Sequence, residues 1–332
     1  GISTVRIQSI IDKVTSTLNI NPKINVVQHV SECPDAVLKD MERNGILDEN
    51  DAADVQGFAW RGETWLVAGG TDLWRDLQQG RHPPVDVLVD VTRIPELTAL
   101  EIRDGRLFVG AAVPLNRVIS SPLVQEHAHA LYEAARLIGG PQVRNTATLG
   151  GNVGHALPAG DGTISLHCLG AQAEVASLQG CRQVAINELY AGPGRSALLP
   201  KRELLGGCYL PLRGAGEASA FRRVMRPQGV AIAILNMGVW LRREAGVIRE
   251  ARIALGPAGP TPLRARAAED ALVGRFPDEE VLALALEALR QEARFRTSPH
   301  RATQEYRRHV AGVLLNETLS AAWERAGESE EL

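Results

Sequence analysis

Two glycine pairs carry the clearest chemical information in this sequence. The first lies in Leu66-Val67-Ala68-Gly69-Gly70-Thr71-Asp72 and the second in Thr148-Leu149-Gly150-Gly151-Asn152, about eighty residues further on. Glycine has no Cβ, so the amide N–H groups around it can come close to a bulky anion. Thr, Asp and Asn beside the glycines add polar side chains at the same places. Since each pair follows apolar residues, we predict two turns after strands that together grip one long, phosphate-containing ligand such as a dinucleotide.

The polar residues near the second pair leave more than one interpretation open. Asp161 follows Asn152 by nine residues in a Pro-Ala-Gly-Asp turn. Its carboxylate could cap the short helix that follows, or accept hydrogen bonds from ribose or ribityl hydroxyls. Either glycine turn, taken alone, could also be an ordinary tight turn with a helix cap. His155 and His167 lie nearby, but nothing pairs them with a base or a set of metal ligands, so we interpret both as structural.

Several other chemistries are excluded by motif. Gly192-Pro193-Gly194-Arg195-Ser196-Ala197 has the spacing of a dinucleotide-binding fingerprint. No long apolar strand precedes it, however, and a proline stands inside the turn, so we predict a plain loop. The sequence contains no P-loop, no G-x-S-x-G and no H-E-x-x-H motif. The usual hydrolase and zinc-protease constellations are therefore missing, and no catalytic acid, base or metal ligand is assigned.

Composition is that of an ordinary globular protein. The chain has 332 residues, 45% of them hydrophobic and 23% charged, which is enough for two or three domains. A net charge of −3 gives no electrostatic footprint for nucleic acid or anionic membrane. No apolar run reaches the ~18 residues that span a bilayer, and no secretory signal begins the chain, so we expect a cytoplasmic protein. The scattered cysteines predict buried free thiols, and no cluster site formed by this chain alone; they are Cys33, Cys168, Cys181 and Cys208.

The elements that must position these residues alternate between strands and helices. In order, the pattern predicts a strand at 23–29, a helix at 31–44, a surface insertion at 46–62, a strand from 64, a helix at 71–79, a strand at 85–90, a hairpin at 101–109, a helix at 122–138, a helix at 163–169 and strands at 173–177 and 182–186. After a small-residue linker at 214–218, it predicts strands at 219–225, 231–242 and 247–255 and helices at 263–273, 278–294 and 304–325. The fold class is therefore α+β.

Taken together, these motifs resemble the FAD-binding subunit of molybdenum hydroxylases, the family that includes xanthine dehydrogenase and the medium subunit of aerobic carbon monoxide dehydrogenase. The glycine segments at 66–73 and 148–152 and the turn at 158–161 carry the resemblance most specifically. It continues through 188–192, 200–205, 221–226 and 305–308, and covers about residues 24–325.

The resemblance implies a two-lobed, vanillyl-alcohol-oxidase (PCMH)-type FAD-binding domain, followed by a small α+β C-terminal domain with a three-stranded sheet and helices. The implied boundaries are 1–22 for a linker or partner-binding arm, 23–213 for the FAD domain (lobes of about 23–83 and 84–213), and 214–327 for the C-terminal domain. Both glycine segments are expected at the FAD pyrophosphate, Asp161 at the ribityl or diphosphate region, and Leu205, Tyr190 and Arg223 near the flavin. The candidate cofactor-binding residues are thus Leu66, Val67, Ala68, Gly69, Gly70, Thr71, Asp72, Leu73, Thr148, Leu149, Gly150, Gly151, Asn152, Asp161, Tyr190, Leu205 and Arg223.

The same resemblance implies the activity. Electrons from molybdopterin on a large subunit and [2Fe–2S] clusters on a small subunit would reach FAD here and pass to an external acceptor, in a complex expected to be a dimer of heterotrimers. This chain departs from many relatives by having Gln228-Gly229-Val230 where they carry an acidic residue, which leaves the acceptor open. The alternatives are a free-standing FAD oxidase or reductase of the same fold acting directly on substrate, and an assembly module that has lost its flavin. The two intact glycine pairs argue against the latter.

Overall fold

The computed structural model describes residues 25–28, 64–81, 87–177, 180–200, 202–226 and 232–328. The predicted arm at 1–22, helix at 31–44 and insertion at 46–62 lie outside the described residues, as does Gln228-Gly229-Val230. No helix within the described ranges is long and apolar enough to cross a membrane.

A parallel sheet of three strands opens the described chain. Its strands are β1 (Asn25–Gln28), β2 (Thr64–Val67) and β3 (Val87–Asp90), in the order β1-β3-β2. Helix α1 (Thr71–Gln78) connects β2 to β3 and packs Leu73, Trp74 and Leu77 against the sheet. Because this crossover returns the chain to the same sheet, the strand at 87–90 pairs with the strand at 64–67. The boundary between the two lobes at about residues 83 and 84 stays a prediction.

An antiparallel five-stranded sheet follows along the chain. The strands of this region are β4 (Leu100–Arg103), β5 (Arg106–Gly110), β6 (Gln172–Ser177), β7 (Gly180–Ala185), β8 (Tyr190–Gly192), β9 (Arg195–Ser196) and β10 (Leu204–Pro211). The sheet has the strand order β4-β5-β10-β6-β7, and β8 and β9 form a separate hairpin. Its helices are α2 (Pro95–Thr98), α3 (Leu115–Ser120), α4 (Pro122–His127), α5 (His129–Leu137), α6 (Pro141–Arg144), α7 (Leu149–Gly154) and α8 (Asp161–Cys168), with a 3-10 helix at Ile186–Leu189. Helices α3, α4, α5, α7 and α8 and the 3-10 helix bury apolar side chains in one continuous core with the sheet. Helix α2 contributes Leu97 to a smaller separate cluster, and α6 buries no residue.

One predicted helix in this region is broken. The pattern predicted a single helix over 122–138, whereas the structure has α4 and α5 separated by Ala128, whose φ of −136° is not helical. The break turns both halves toward the same core, since Val124, Ala128 and Leu131 are all fully buried. No glycine or proline stands at this point of the sequence, so packing against the core, and not a local sequence signal, interrupts the helix.

The C-terminal part is a four-stranded antiparallel sheet covered by helices. Its strands, in spatial order, are β11 (Glu217–Val224), β12 (Leu235–Glu244), β13 (Val247–Gly256) and β14 (Leu263–Arg264). Its helices are α9 (Arg266–Leu272), α10 (Glu279–Glu292) and α11 (Gln304–Glu328), which pack on the sheet in a second core. The predicted three-stranded sheet is therefore wrong by one short strand: residues 263 and 264 were assigned to a helix, but they pair with Leu255 and Ala254.

Polar contacts join the two cores along one seam. The Glu133 carboxylate on α5 accepts hydrogen bonds from the Phe221 amide on β11, at 2.7 Å, and from the Arg325 guanidinium on α11, at 2.6 Å. The Ala130 amide donates to the Ser219 hydroxyl at 3.0 Å. These contacts link helix α5 of the first core to strand β11 and helix α11 of the second.

Candidate functional site

The first glycine segment connects strand β2 to helix α1 and leaves its amides unpaired. Gly70 has φ +62°, a left-handed conformation that glycine adopts without strain, and it forms the N-cap of α1. The first amide in this stretch with a partner belongs to Trp74, which donates to the Gly70 carbonyl at 2.8 Å. The five amides from Gly69 to Leu73 donate no hydrogen bond to any described residue. Unpaired amides at a helix N-terminus form a ready anion site.

The second glycine segment has a different local structure from the predicted turn. Residues 149–154 form helix α7, with the Thr148 hydroxyl capping it by accepting a 3.0 Å hydrogen bond from the Gly151 amide. Thr148 itself makes only an isolated bridge with Pro114, so the segment does not follow a strand as predicted. The signal was misleading because paired glycines usually interrupt helices, and here the cap and tertiary contacts hold one together.

The amides of the second segment are already used within the protein. Those of Leu149, Gly150 and Asn152 donate to the carbonyls of Val113, Ala111 and Thr148, at 3.2, 2.9 and 3.1 Å. A Cβ on Gly150 would lie 2.5 Å from the Ala111 Cβ, so this glycine permits close backbone packing. A Cβ on Gly151 would meet only the Thr148 hydroxyl, at 3.1 Å, and Gly151 is exposed. The two glycine pairs therefore have different roles. The amides of the first pair are free to donate hydrogen bonds, whereas the second pair allows close backbone packing at Gly150 and leaves an exposed surface at Gly151.

The fold brings the two segments together. A Cβ on Gly69 would collide with the Thr146 carbonyl oxygen and lie 2.8 Å from the Ala147 Cα, so the first segment packs directly on the chain entering α7. A second link joins the Asp72 carboxylate on α1 to His155 at the end of α7, with Oδ2 and Nδ1 3.1 Å apart. The predicted juxtaposition of the two glycine pairs is confirmed by these contacts.

Charge at this junction is concentrated on three side chains. Asp72 also pairs with Arg75, 2.9 Å away on the next turn of α1. The hydrogen bond from His155 lowers the pKa of Asp72, and the same bond raises the pKa of His155 above its usual value. His155 was interpreted from the sequence as structural, and the structure shows the partner that the sequence did not reveal: its imidazole links the second segment to Asp72 on α1.

Asp161 and Arg223 bind each other in the seam between the two cores. Asp161 begins α8 and Arg223 lies on β11, and their side chains form an ion pair in which both groups are about 6% exposed. Asn236 on β12 donates to the Asp161 carboxylate at 2.6 Å and to the Ala159 carbonyl at 3.0 Å. Burial raises the pKa of Asp161, while Arg223 and Asn236 act in the opposite direction. Contact of Asp161 and Arg223 with FAD stays a prediction. Asn236 was not predicted as a site residue, because it lies within an apolar strand pattern that gives no sign of its contact with Asp161.

Tyr190 and Leu205 lie in the core of the five-stranded sheet domain. The Tyr190 hydroxyl donates to the Thr163 hydroxyl at 3.0 Å, and burial raises its pKa. Its ring lies 5.5 Å from that of His167, and burial lowers the pKa of that histidine to about 4, so it is neutral. Leu205, on β10, is 5% exposed. Proximity of Tyr190 and Leu205 to the flavin stays a prediction.

The cysteines follow the predicted pattern only in part. Cys168 and Cys208 are buried and free, as predicted, and burial raises the pKa of both thiols, that of Cys208 to about 12. Cys181 is exposed on β7, because that strand lies at the edge of its sheet. Cys33 lies outside the described residues. Within those residues, no group of three or more His, Cys, Asp and Glu side chains is arranged to hold a metal.

An α+β domain with an amide-lined glycine segment, joined to a second sheet-and-helix domain, fits a protein that binds a phosphate-containing ligand. Residues 50–213 match the family described as the FAD binding domain in molybdopterin dehydrogenase, and residues 219–322 match the CO dehydrogenase flavoprotein C-terminal domain. The chain belongs to the family of FAD-binding subunits of molybdenum hydroxylases, which are oxidoreductases.

Individual relatives support this assignment. The xanthine dehydrogenase FAD-binding subunit of Escherichia coli O157:H7 is 30% identical over 267 residues, covering 79% of this chain and 89% of the relative. The carbon monoxide dehydrogenase medium chain of Hydrogenophaga pseudoflava is 30% identical over 260 residues, covering 78% and 89%. A solved structure of that organism's carbon monoxide dehydrogenase superposes with a TM-score of 0.79 at 28% identity, covering 92% of this chain and 99% of the matched chain. The resemblance and the fold class inferred from the sequence are confirmed, and the electron-transfer interpretation is favoured over a free-standing oxidase.

Proposed function

We propose that the unpaired amides from Gly69 to Leu73 hold the pyrophosphate of FAD, with the exposed face of α7 at Gly151 closing the other side. The observation that carries this proposal is the run of five amides without a partner among the described residues, at the start of a helix that packs on a second glycine segment. Anions are favoured at such a terminus by both hydrogen bonding and the helix dipole.

The remaining candidate contacts are proposed on the family resemblance. Leu66, Val67 and Ala68 precede the amides, while Thr148 and Asn152 flank the open face of α7. Asp161, Tyr190, Leu205 and Arg223 are proposed further along the cofactor. In this arrangement the chain binds and orients FAD and tunes its surroundings, and no acid or base of this chain reacts with substrate.

FAD, when bound, supplies two-electron and one-electron redox chemistry between the metal centres of partner subunits and an external acceptor. Relatives are named as FAD-binding subunits and medium chains, which supports a complex with a molybdopterin-binding large subunit and a [2Fe–2S] small subunit. We propose a dimer of heterotrimers in the cytoplasm. We also propose a domain division at about residue 213, supported by the change of sheet between β10 and β11.

The subunit proposal predicts what the purified chain does alone. We expect its flavin to be bleached by an artificial reductant such as dithionite, while aldehydes, purines and carbon monoxide leave the absorbance at about 450 nm unchanged. Adding the molybdenum and iron–sulfur subunits should make the bleaching depend on an organic substrate. Turnover of such a substrate by the chain alone, with oxygen or a nicotinamide as acceptor, would instead establish the free-standing enzyme.

The mode of attachment can be tested separately. Neither 66–73 nor 148–152 contains a histidine or cysteine that could form a flavin tether. We therefore expect acid precipitation to release the yellow colour into the supernatant, because hydrogen bonds and packing alone hold the cofactor. Flavin that stays in the pellet after washing would contradict non-covalent binding and would favour the oxidase alternative.

A further inference from the structure

The start of α1 contains an acidic side chain where an anion should bind. Asp72 lies among the five unpaired amides, in the first turn of the helix, and is about half exposed. A carboxylate there favours the helix but repels a second anion placed against the same amides. Unless its charge is compensated, Asp72 opposes binding of a pyrophosphate.

Two basic side chains contact this carboxylate, one on each oxygen. Arg75 contacts Oδ1 from the same helix, and His155 contacts Oδ2 from the second glycine segment. His155 caps the C-terminal end of α7, where its amide donates to the Gly151 carbonyl, and a helix C-terminus also favours a positive charge. His155 is therefore placed both to neutralise Asp72, when the imidazole is protonated, and to tie the two segments together.

We propose that His155 is a further determinant of FAD binding: its protonated imidazole neutralises Asp72 beside the unpaired amides of α1 and so permits the pyrophosphate to bind there. This inference rests on the proposed FAD site. Arg75 is shared between Asp72 and Asp76, whose Oδ1 lies 3.4 Å from its Nε, so it compensates Asp72 only in part, and His155 supplies the contact from α7.

The charges that act on His155 define the direction of its pH dependence. Asp72 and Asp76 favour the protonated imidazole, while Arg75 and partial burial oppose it; all three charged groups lie on α1. The Asp72 hydrogen bond dominates, so the pKa of His155 is raised above 6.5 and that of Asp72 is lowered below 3.8. Both side chains are therefore charged at pH values between the lowered pKa of Asp72 and the raised pKa of His155. The ion pair is lost as the pH rises through the pKa of His155.

The test is the dissociation constant of FAD for the deflavinated full chain, measured by flavin fluorescence from pH 6 to 9. For the wild type we expect affinity to fall by roughly five- to tenfold across this range, because compensation of one charge near a helix terminus is of that order. His155→Gln keeps a polar side chain but loses the titratable charge. It should bind FAD several-fold more weakly at pH 6 and show little pH dependence.

Two further variants separate this role from a merely structural one. In an Asp72→Asn background the repulsion is gone, so His155→Gln should have little additional effect and the pH dependence should be flat. His300→Gln, an exposed histidine in the C-terminal domain, serves as control and should retain the wild-type profile. A wild-type affinity that does not change with pH, or an equal effect of His155→Gln in both backgrounds, would overturn the proposal. Failure of the wild-type chain to bind FAD at any pH would instead refute the FAD site itself.

Discussion

Replacing Asp161 by alanine should lower the unfolding temperature of the chain even when no FAD is present. The substitution leaves the buried Arg223 guanidinium without its carboxylate and removes one of the two acceptors of Asn236. Breaking one side of a buried ion pair costs about 3–5 kcal/mol, which corresponds to a loss of roughly 4–7 °C in a chain of this size. Differential scanning calorimetry of the FAD-free and FAD-loaded protein would measure the loss in both states.

Matched variants show whether the pair itself is responsible. Glu101→Ala removes the carboxylate of an exposed pair with Arg103 and should change the free energy of unfolding by less than about 1 kcal/mol. The double variant Asp161→Leu/Arg223→Met removes both buried charges and should recover much of the stability lost in Asp161→Ala. An unchanged unfolding temperature without FAD, combined with weakened FAD binding, would show that Asp161 acts through the cofactor and not through the seam.

Local signals predicted the elements well where they depend on a few neighbouring residues. The β4–β5 hairpin was predicted from Asp104-Gly105, and both residues have the positive φ (51° and 68°) that such a turn requires. Asp278 was predicted to begin a helix, and its carboxylate does cap α10 by accepting from the Val281 amide at 2.9 Å. Here the sequence pattern was sufficient because the decisive contacts lie within one turn.

The predictions failed where distant contacts decide. The apolar pattern runs unbroken through Ala128, so only its packing against the core reveals the break between α4 and α5. The second glycine pair was read as a turn, and the carbonyls of Ala111 and Val113, which hold its amides, lie far away in the sequence. For the same reason the pairing of His155 was missed: its partner Asp72 belongs to the other glycine segment.

The four glycines were expected from the sequence to act alike, with a branched Cβ at Gly69 or Gly151 blocking the pyrophosphate. The structure separates them. Gly69 is buried against the backbone of 146 and 147, so any Cβ there forces the two segments apart. Gly151 is exposed in the first turn of α7, where a Cβ would meet only the Thr148 hydroxyl, at a tight 3.1 Å, and where replacing glycine favours the helix. Substitutions at the two positions should therefore have different effects: at Gly69 on the stability of the chain, and at Gly151 on the binding of FAD.

Gly151→Val should weaken FAD binding by at least about tenfold, because the new side chain occupies the space proposed for the cofactor. The FAD-free chain should stay as stable as the wild type to within ~1 kcal/mol, because the gain in helix propensity offsets the tight 3.1 Å contact between the new Cβ and the Thr148 hydroxyl. Gly69→Val should lower the unfolding temperature of the FAD-free chain as well, because its side chain clashes with the protein itself. Gly259→Val, whose Cβ would meet its nearest atom, the Thr261 carbonyl oxygen, at an ordinary 3.5 Å, serves as the matched control and should change neither quantity. Fluorescence titration with FAD and calorimetry of the same preparations give both measurements. Wild-type FAD affinity in Gly151→Val would remove the exposed face of α7 from the cofactor site, leaving the amides of α1 to be tested alone.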